Sequence, residues 1–486
     1  MRLKRASARE VVHRGLEQVF LQSLKRLPWL YAKDLRAPTD SAAPDSLKLP
    51  EIAVEKPEER KMVGADEILR GHTFCLGFDQ SDIEAYERRW RGVFCGDVEF
   101  TAEDPDIRAV WEQARLQHLM IVMEALPREK DAQESREMKQ FVRNEAIDWI
   151  VANKFPLGPH HKCVMESALR IPVFLQVLKH NDLLSQSDRE LILQTIFEHA
   201  WLTEKRLSLY SSLGNHTTCE ALGLVMAGAL FHGDKRGRRW LKRGIELLKQ
   251  ECDHQILPDG GPAEKSLNYH RFVLDVFWLA VDFLESNDLA DCEAMRGRLS
   301  AGEKFLRAHT THGRMPNIGD SDDGRAVAPG LCPKVRIGNA GDAAPGIRVF
   351  EESGCTTVCG HGGEFLTFDH GPLGMAPLYV HGHADALSVT VFKNGVPILV
   401  DPGTYRYNGS QDFRRWFKGT PAHNTVAIDD ADQSLQLTSF AWEKGYEVEW
   451  RILDRLDAEI DMIAELDWAG ELGREELVHV RRFWYK

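Results

Sequence analysis

From about Asp104 to His309 apolar residues recur at three- and four-residue spacing, and after Ile318 they give way to short alternating runs. The first period belongs to helices with one buried face, the second to half-buried strands. Segments such as MKQFVRNEAIDWIVANKF, RELILQTIFEHAWL and YHRFVLDVFWLAVDFLES, joined by short polar loops, predict antiparallel helical hairpins. These fit a bundle or a helical toroid, and periodicity alone does not choose between them. The runs EFLTFDH, ALSVTVF, VPILV, NTVAID, YEVEWRIL and LVHVRRFWY predict an antiparallel sandwich. The expected domains are therefore a mixed region over 1–103, a helical domain over 104–317 and a β-sandwich over 318–486. A Pro- and charge-rich stretch from Pro38 to Lys61 reads as a linker or loop. Because Arg481 to Lys486 fall inside a strand, the last domain reads as incomplete or minimal, with an exposed edge.

With 486 residues, 43% of them hydrophobic, the chain can build two or three domains with ample core. A formal charge of −13 disfavours generic binding to nucleic acid or to an anionic membrane. Nine cysteines without a C-x-x-C pair give no disulfide or zinc-ribbon framework and point to a reducing compartment. The basic N-terminus lacks the apolar core of a signal peptide, and the longest apolar run, Leu222 to Phe231, is too short to span a bilayer. The expectation is a cytoplasmic protein, or a periplasmic or secreted one if a leader is missing.

Chemistry-bearing residues concentrate between Tyr379 and Thr425. LSVTVF and VPILV, separated by Lys393, Asn394 and Gly395, read as a hairpin. If HGHAD is extended, His381 and His383 leave one face, and Asp401 stands at the end of the next strand. His383, Asp401 and His423 can then converge, and this imidazole–carboxylate set suits zinc better than calcium or magnesium. The alternative is that each histidine only bonds a loop. Arg406, Arg414, Arg415 and Lys418 supply local cations for a polyanion, or else a solvated basic face.

Two further clusters lie in the helical half: SLGNHTTCEALG, with Asn215, His216 and Glu220, and ILPDGGPAEKSLNYHRFVLD, with Tyr269 and His270. Taken singly, Asn215 reads as a helix N-cap and Tyr269 as a core aromatic. Taken with GDSDDGR (319–325), HGHAD (381–385), DPG-x-Y (401–405) and AHNT (422–425), in that order, they resemble the heparinase II/III-like polysaccharide lyases. The likeness covers residues from about 104 to the end. It implies an incomplete (α/α) toroid followed by an antiparallel β-sandwich, and β-elimination on a uronic-acid polysaccharide.

The resemblance also implies roles. Asn215 and His216 match the pair that neutralises the substrate carboxylate, with Glu220 as a helper of His216. Tyr269 matches the catalytic tyrosine and His381 the base for the opposite epimer. Tyr405 takes the second-tyrosine role, with Tyr407 as its competitor. His383, Asp401 and His423 correspond to zinc ligands that organise a loop. His270, Arg325, Arg406 and Arg415 are candidate substrate contacts. Asp320, Asp322 and Asp323 read first as Asx-turn residues and second as cation ligands. The implied partner is an anionic polysaccharide, with homodimerisation open. Two other readings stand beside the lyase: a hydrolase in which zinc activates water with Asp385 or Glu220 as base, and a non-catalytic polysaccharide-binding protein on a lyase scaffold. The joint presence of Asn215, His216, Tyr269 and His381 argues against the last. Heparan sulfate, hyaluronan, alginate and bacterial exopolysaccharides all carry the uronate that the chemistry needs.

Overall fold

Between Ile107 and Ala308 helices form where the three- and four-residue spacing predicts them. They are Ile107–Gln113, His118–Ala125, Ala132–Ala152, Val164–His180, Gln186–Lys205, Asn215–Leu230, Lys235–Gln255, Leu267–Ser286 and Glu293–Ala308. The periodic run from Asp106 to Leu126 forms two helices, and Leu116 between them takes a left-handed φ of 59°. This computed structural model describes residues 7–38, 44–55, 64–71, 79–210, 213–336, 341–456, 459–467 and 477–486. Much of the stretch read as a linker lies outside the described residues, and the short strand β1 (Ile52–Val54) falls within the rest.

The chain divides into two compact units: Met1–Ala53, Val63–Lys249 and Asp282–Asp291 in one, and Val54–Met62, Gln250–Val281 and Cys292–Lys486 in the other. In the first unit small residues set how closely helices approach. A Cβ on Gly223 would stand 2.8 Å from that of Ala168, and one on Gly228 would stand 2.4 Å from the Leu241 backbone nitrogen. The helix Asn215–Leu230 therefore packs backbone to backbone against Val164–His180 and the start of Lys235–Gln255. The buried faces interlock through rings such as Phe197, which meets Phe231 and Trp240 at 5.2 and 5.0 Å.

In the second unit β2 (Leu331–Pro333) precedes a sandwich. β3 (Gly346–Phe350), β4 (Cys355–Cys359), β5 (Glu364–Asp369), β6 (Val389–Lys393) and β7 (Val396–Leu399) form one antiparallel sheet in chain order. β8 (Val448–Leu456), β9 (Glu459–Asp467) and β10 (Val478–Tyr485) form the other, with β9 central. Alternate residues of β9 (Ile460, Met462, Ala464, Leu466) are buried with Val358, Phe368 and Phe483. The rings of Phe368 and Phe483 stack at 5.1 Å, so the inner faces pack through aromatic contact. The β6–β7 hairpin turns at Asn394 and Gly395, both at positive φ, as the primed two-residue turn requires.

The run NTVAID does not form the expected strand. Asn424 Nδ2 donates to the Val389 and Val400 carbonyls and Thr425 Oγ1 to that of Ala386, so the side chains of this segment tie neighbouring backbone together. A helical domain followed by an antiparallel β-sandwich is the class the sequence predicts. Among the described residues no helix is long and apolar enough to cross a membrane.

Candidate functional site

The HGHAD segment is not extended. His381 adopts a left-handed φ of 74°, and the glycine after it is required because a Cβ on Gly382 would lie 1.7 Å from the Leu373 carbonyl oxygen. Trp442 Nε1 donates to the Gly382 carbonyl at 2.9 Å. The two imidazoles do converge, but on a carboxylate and not through strand alternation. His381 Nδ1 lies 3.0 Å from Asp320 Oδ2, and His383 Nε2 lies 3.0 Å from Asp320 Oδ1. Arg414 grips the same carboxylate with both terminal nitrogens at 2.7 Å.

Asp320 is wholly buried. Burial alone would raise its pKa, yet the Arg414 charge and the two imidazole bonds hold it well below the usual carboxylate range. The Asx-turn reading holds for Asp322, which caps Gly324, but not for Asp320. Arg414 comes from a helix, Gln411–Lys418, inside a region that reads as β. Its i,i+4 partner Lys418 is also buried and pushed down to about 7, by burial and then by Arg414, whereas Arg415 is exposed. The supposed basic face is thus split between core and surface.

On the other side of His381 its ring lies 4.4 Å from that of Tyr269. The Tyr269 and Tyr407 hydroxyls are hydrogen bonded to each other, and the Arg414 guanidinium lies over the Tyr407 ring, 5.3 Å from its centre. Tyr405 is placed elsewhere, stacked on Phe417 at 5.5 Å. The second tyrosine beside Tyr269 is therefore Tyr407. His270, one residue on from Tyr269, is buried edge-on against Phe305, and burial pushes it down to about 3. It packs the helix and is not grouped with Tyr269. Arg406 is half-buried and donates to the Asn408 carbonyl, and Arg325 is half-buried in the loop after Asp320.

His383, Asp401 and His423 are all buried, and one ligand atom from each lies within 4.8 Å of the others. Asp401 Oδ1 accepts from Gly403 N at 2.9 Å, which orients it after β7, and Oδ2 meets His423 Nδ1 at 3.2 Å. Burial would lower His423, but Asp401 raises it to about 9; burial takes His383 down to about 4. His383 Nδ1 and His423 Nε2 are buried without a hydrogen-bond partner among the described residues. Such orphaned nitrogens are unusual unless something else meets them, and two imidazoles with a carboxylate form a donor set for a metal ion.

In the first unit, Asn215 is buried as the first residue of its helix; the cap position belongs to Gly214, whose φ is 115°. His216 Nδ1 lies 3.8 Å from Cys163 Sγ. Burial pushes that thiol up to about 12, so it offers no thiolate. Glu220 accepts from Ser208 N at 2.8 Å and Ser208 Oγ at 2.7 Å, and burial raises its pKa to about 7. Its direct partner is thus Ser208.

Two family descriptions match this chain: "Heparinase II/III N-terminus" over 165–298 and "Heparinase II/III-like, C-terminal" over 343–486. The chain is 34% identical over 274 residues to a heparin-sulfate lyase of Bacteroides stercoris, covering 49% of this chain and 39% of that protein. It is 24% identical over 260 residues to a heparin-sulfate lyase of Bacteroides thetaiotaomicron, covering 45% and 37%. The matched stretch spans under two-fifths of each relative. A crystal structure of heparinase III superposes with a TM-score of 0.61 at 18% identity, covering 97% of this chain and 75% of that one. A heparan sulfate lyase mutant from Pedobacter heparinus gives 0.50 at 14%, covering 86% and 72%. At these identities the structures speak to the fold, which is that of a helical domain joined to an antiparallel sandwich. The chain belongs to the heparinase II/III-like family.

Proposed function

We propose that the protein is a polysaccharide lyase that breaks a uronic-acid polymer by β-elimination, with a glycosaminoglycan of the heparin or heparan sulfate class as the first candidate substrate. The observation that carries this reading is the meeting of the Tyr269 and Tyr407 hydroxyls beside the His381 ring. Family membership and the relatives' activity support it. A base removes the C5 proton, the electron pair forms the C4–C5 double bond, and the C4–O bond breaks as its oxygen takes a proton. Tyr269 gives that proton and also serves as base when both groups lie on one face of the sugar. His381 is the base for the opposite epimer. A tyrosine of ordinary pKa, near 10, is a poor base at neutral pH. The hydroxyl pair with Arg414 close by is the setting such a tyrosine needs. Asn215 and His216 match the family's carboxylate-neutralising pair, a role that β-elimination requires because charge develops on the uronate as the C5 proton leaves.

His383, Asp401 and His423 would hold zinc, favoured by the nitrogen and oxygen donors. When bound it supplies a fixed positive charge that organises the loop. The test is ultraviolet absorbance of the unsaturated uronate during incubation with heparan sulfate, hyaluronan, chondroitin and alginate. A rise with heparan sulfate that disappears in Tyr269→Phe is expected. Chain cleavage without unsaturation would replace the lyase with a hydrolase.

A further inference from the structure

His381 and His383 serve different parts of the proposed chemistry, one beside the tyrosines and one in the candidate metal set, yet each gives a ring nitrogen to the same carboxylate. We propose that Asp320, clamped by Arg414, is a positioning residue that fixes the tautomer and orientation of both imidazoles at once, so that the base and the metal ligand are set by one group.

An ionised carboxylate only accepts hydrogen bonds. Both nitrogens that face Asp320 must then carry protons: Nδ1 of His381 and Nε2 of His383, each at 3.0 Å. In a neutral imidazole the lone pair is left on the opposite nitrogen. For His383 this is Nδ1, the buried nitrogen without a hydrogen-bond partner among the described residues, whose residue groups with Asp401 and His423. For His381 it is Nε2, on the side of the ring away from Asp320. A carboxylate behind a metal-bound histidine is a recurrent device for holding ring orientation. Here one carboxylate holds two rings.

The backbone is arranged for the same end. Asp320 N donates to the His381 carbonyl at 3.0 Å, so His381 is held by its main chain and its ring. That grip maintains a left-handed His381, a conformation few side-chain-bearing residues adopt. Gly319, at φ 69°, allows the approach: a Cβ there would stand 2.2 Å from the Lys265 carbonyl oxygen and 3.0 Å from that of His381. The two-toothed contact from Arg414 fixes the plane of the carboxylate, so that each oxygen faces its own imidazole.

Asp320→Asn tests this, because the amide keeps the shape but presents N–H to one imidazole. Two readouts are taken on metal-free, substrate-free protein: nitrogen NMR of the histidine rings, and zinc affinity by competition with a chelator. If Asp320→Asn retains the wild-type thermal unfolding, the imidazole that meets the amide N–H, His381 or His383, should leave its single tautomer and zinc should bind roughly 10–100-fold more weakly. Wild-type tautomers for both histidines, or wild-type zinc affinity, would overturn shared control. If Asp320→Asn does not fold, Arg414→Lys replaces the fork by a point charge and should broaden or shift both histidines. Unmoved resonances and unchanged zinc affinity there would overturn the proposal. Calling His381 the base rests on the lyase reading. Neither readout needs catalysis, so a failure of that reading and a failure of the clamp are distinguishable.

Discussion

Asp320 and Glu220 are both removed from water, one in each unit, and their surroundings differ in kind. Asp320 has a guanidinium and two imidazoles against it, whereas Glu220 has the backbone N–H and hydroxyl of Ser208. The first is held charged well below the carboxylate range and the second is raised to about 7. Burial penalises both charges; at Asp320 the Arg414 charge together with the two imidazole bonds outweighs it, and at Glu220 the Ser208 bonds do not. A buried carboxylate is therefore a polar anchor in one unit and a point of fixed charge, around which other side chains are arranged, in the other.

The sharpest consequence lies at the residues that surround the charged group. Tyr269→Phe removes one hydroxyl of the pair and should lower turnover by about 10²–10⁴-fold while oligosaccharide binding, followed by calorimetry, stays close to wild type. Unchanged turnover would detach the tyrosines from the chemistry. Next, Asp320→Ala leaves Arg414 buried without its counter-charge and should destabilise the second unit by about 3–5 kcal/mol in denaturant titration. A loss under 1 kcal/mol would mean that the charge is not structurally coupled.

Glu220→Gln is expected to act smoothly and through pH. The folded pKa, about 7, is raised above the ordinary carboxylate value, so the group's contribution is fully present below about pH 4.5 and is lost as pH rises through 7. The glutamine variant should show a flatter decline across that window, with a difference on the order of 3 kcal/mol by pH 8. A parallel pH profile for the two proteins would place Glu220 outside this account. The smallest effect is expected for Tyr405→Phe, whose ring stacks on Phe417; turnover should stay within about twofold, since no general acid or base is removed. A loss matching that of Tyr407→Phe would return Tyr405 to the reacting pair.

Much of this was legible in the sequence, and for physical reasons. The helices and most strands follow from apolar period; the His383–Asp401–His423 group does come together, but not through the extended HGHAD segment from which the sequence predicts its convergence. The hub was not legible. Asp320 sits in an acidic, Gly-flanked turn, where aspartates ordinarily bond their own backbone, and Asp322 two residues on does that. Arg414 lies on an eight-residue helix, too short to show a period, and its burial depends on Asp320, 94 residues away in sequence. Lys418 stands four residues from Arg414 and three from Arg415, so helical spacing alone did not separate the buried guanidinium from the exposed one. Choosing Tyr407 over Tyr405 likewise needed the loop conformation, because both lie in the same DPG-x-Y-x-Y segment.

The central claim is that the bond breaks by elimination. Digestion of a defined heparan sulfate oligosaccharide in heavy-oxygen water, followed by mass spectrometry of the fragments, tests it most directly. Elimination predicts two fragments whose masses sum to that of the substrate, with no heavy oxygen in either and the deficit of one water on the fragment bearing the unsaturated uronate. Heavy oxygen incorporated at the cleaved bond would contradict the account and assign the same residues to hydrolysis.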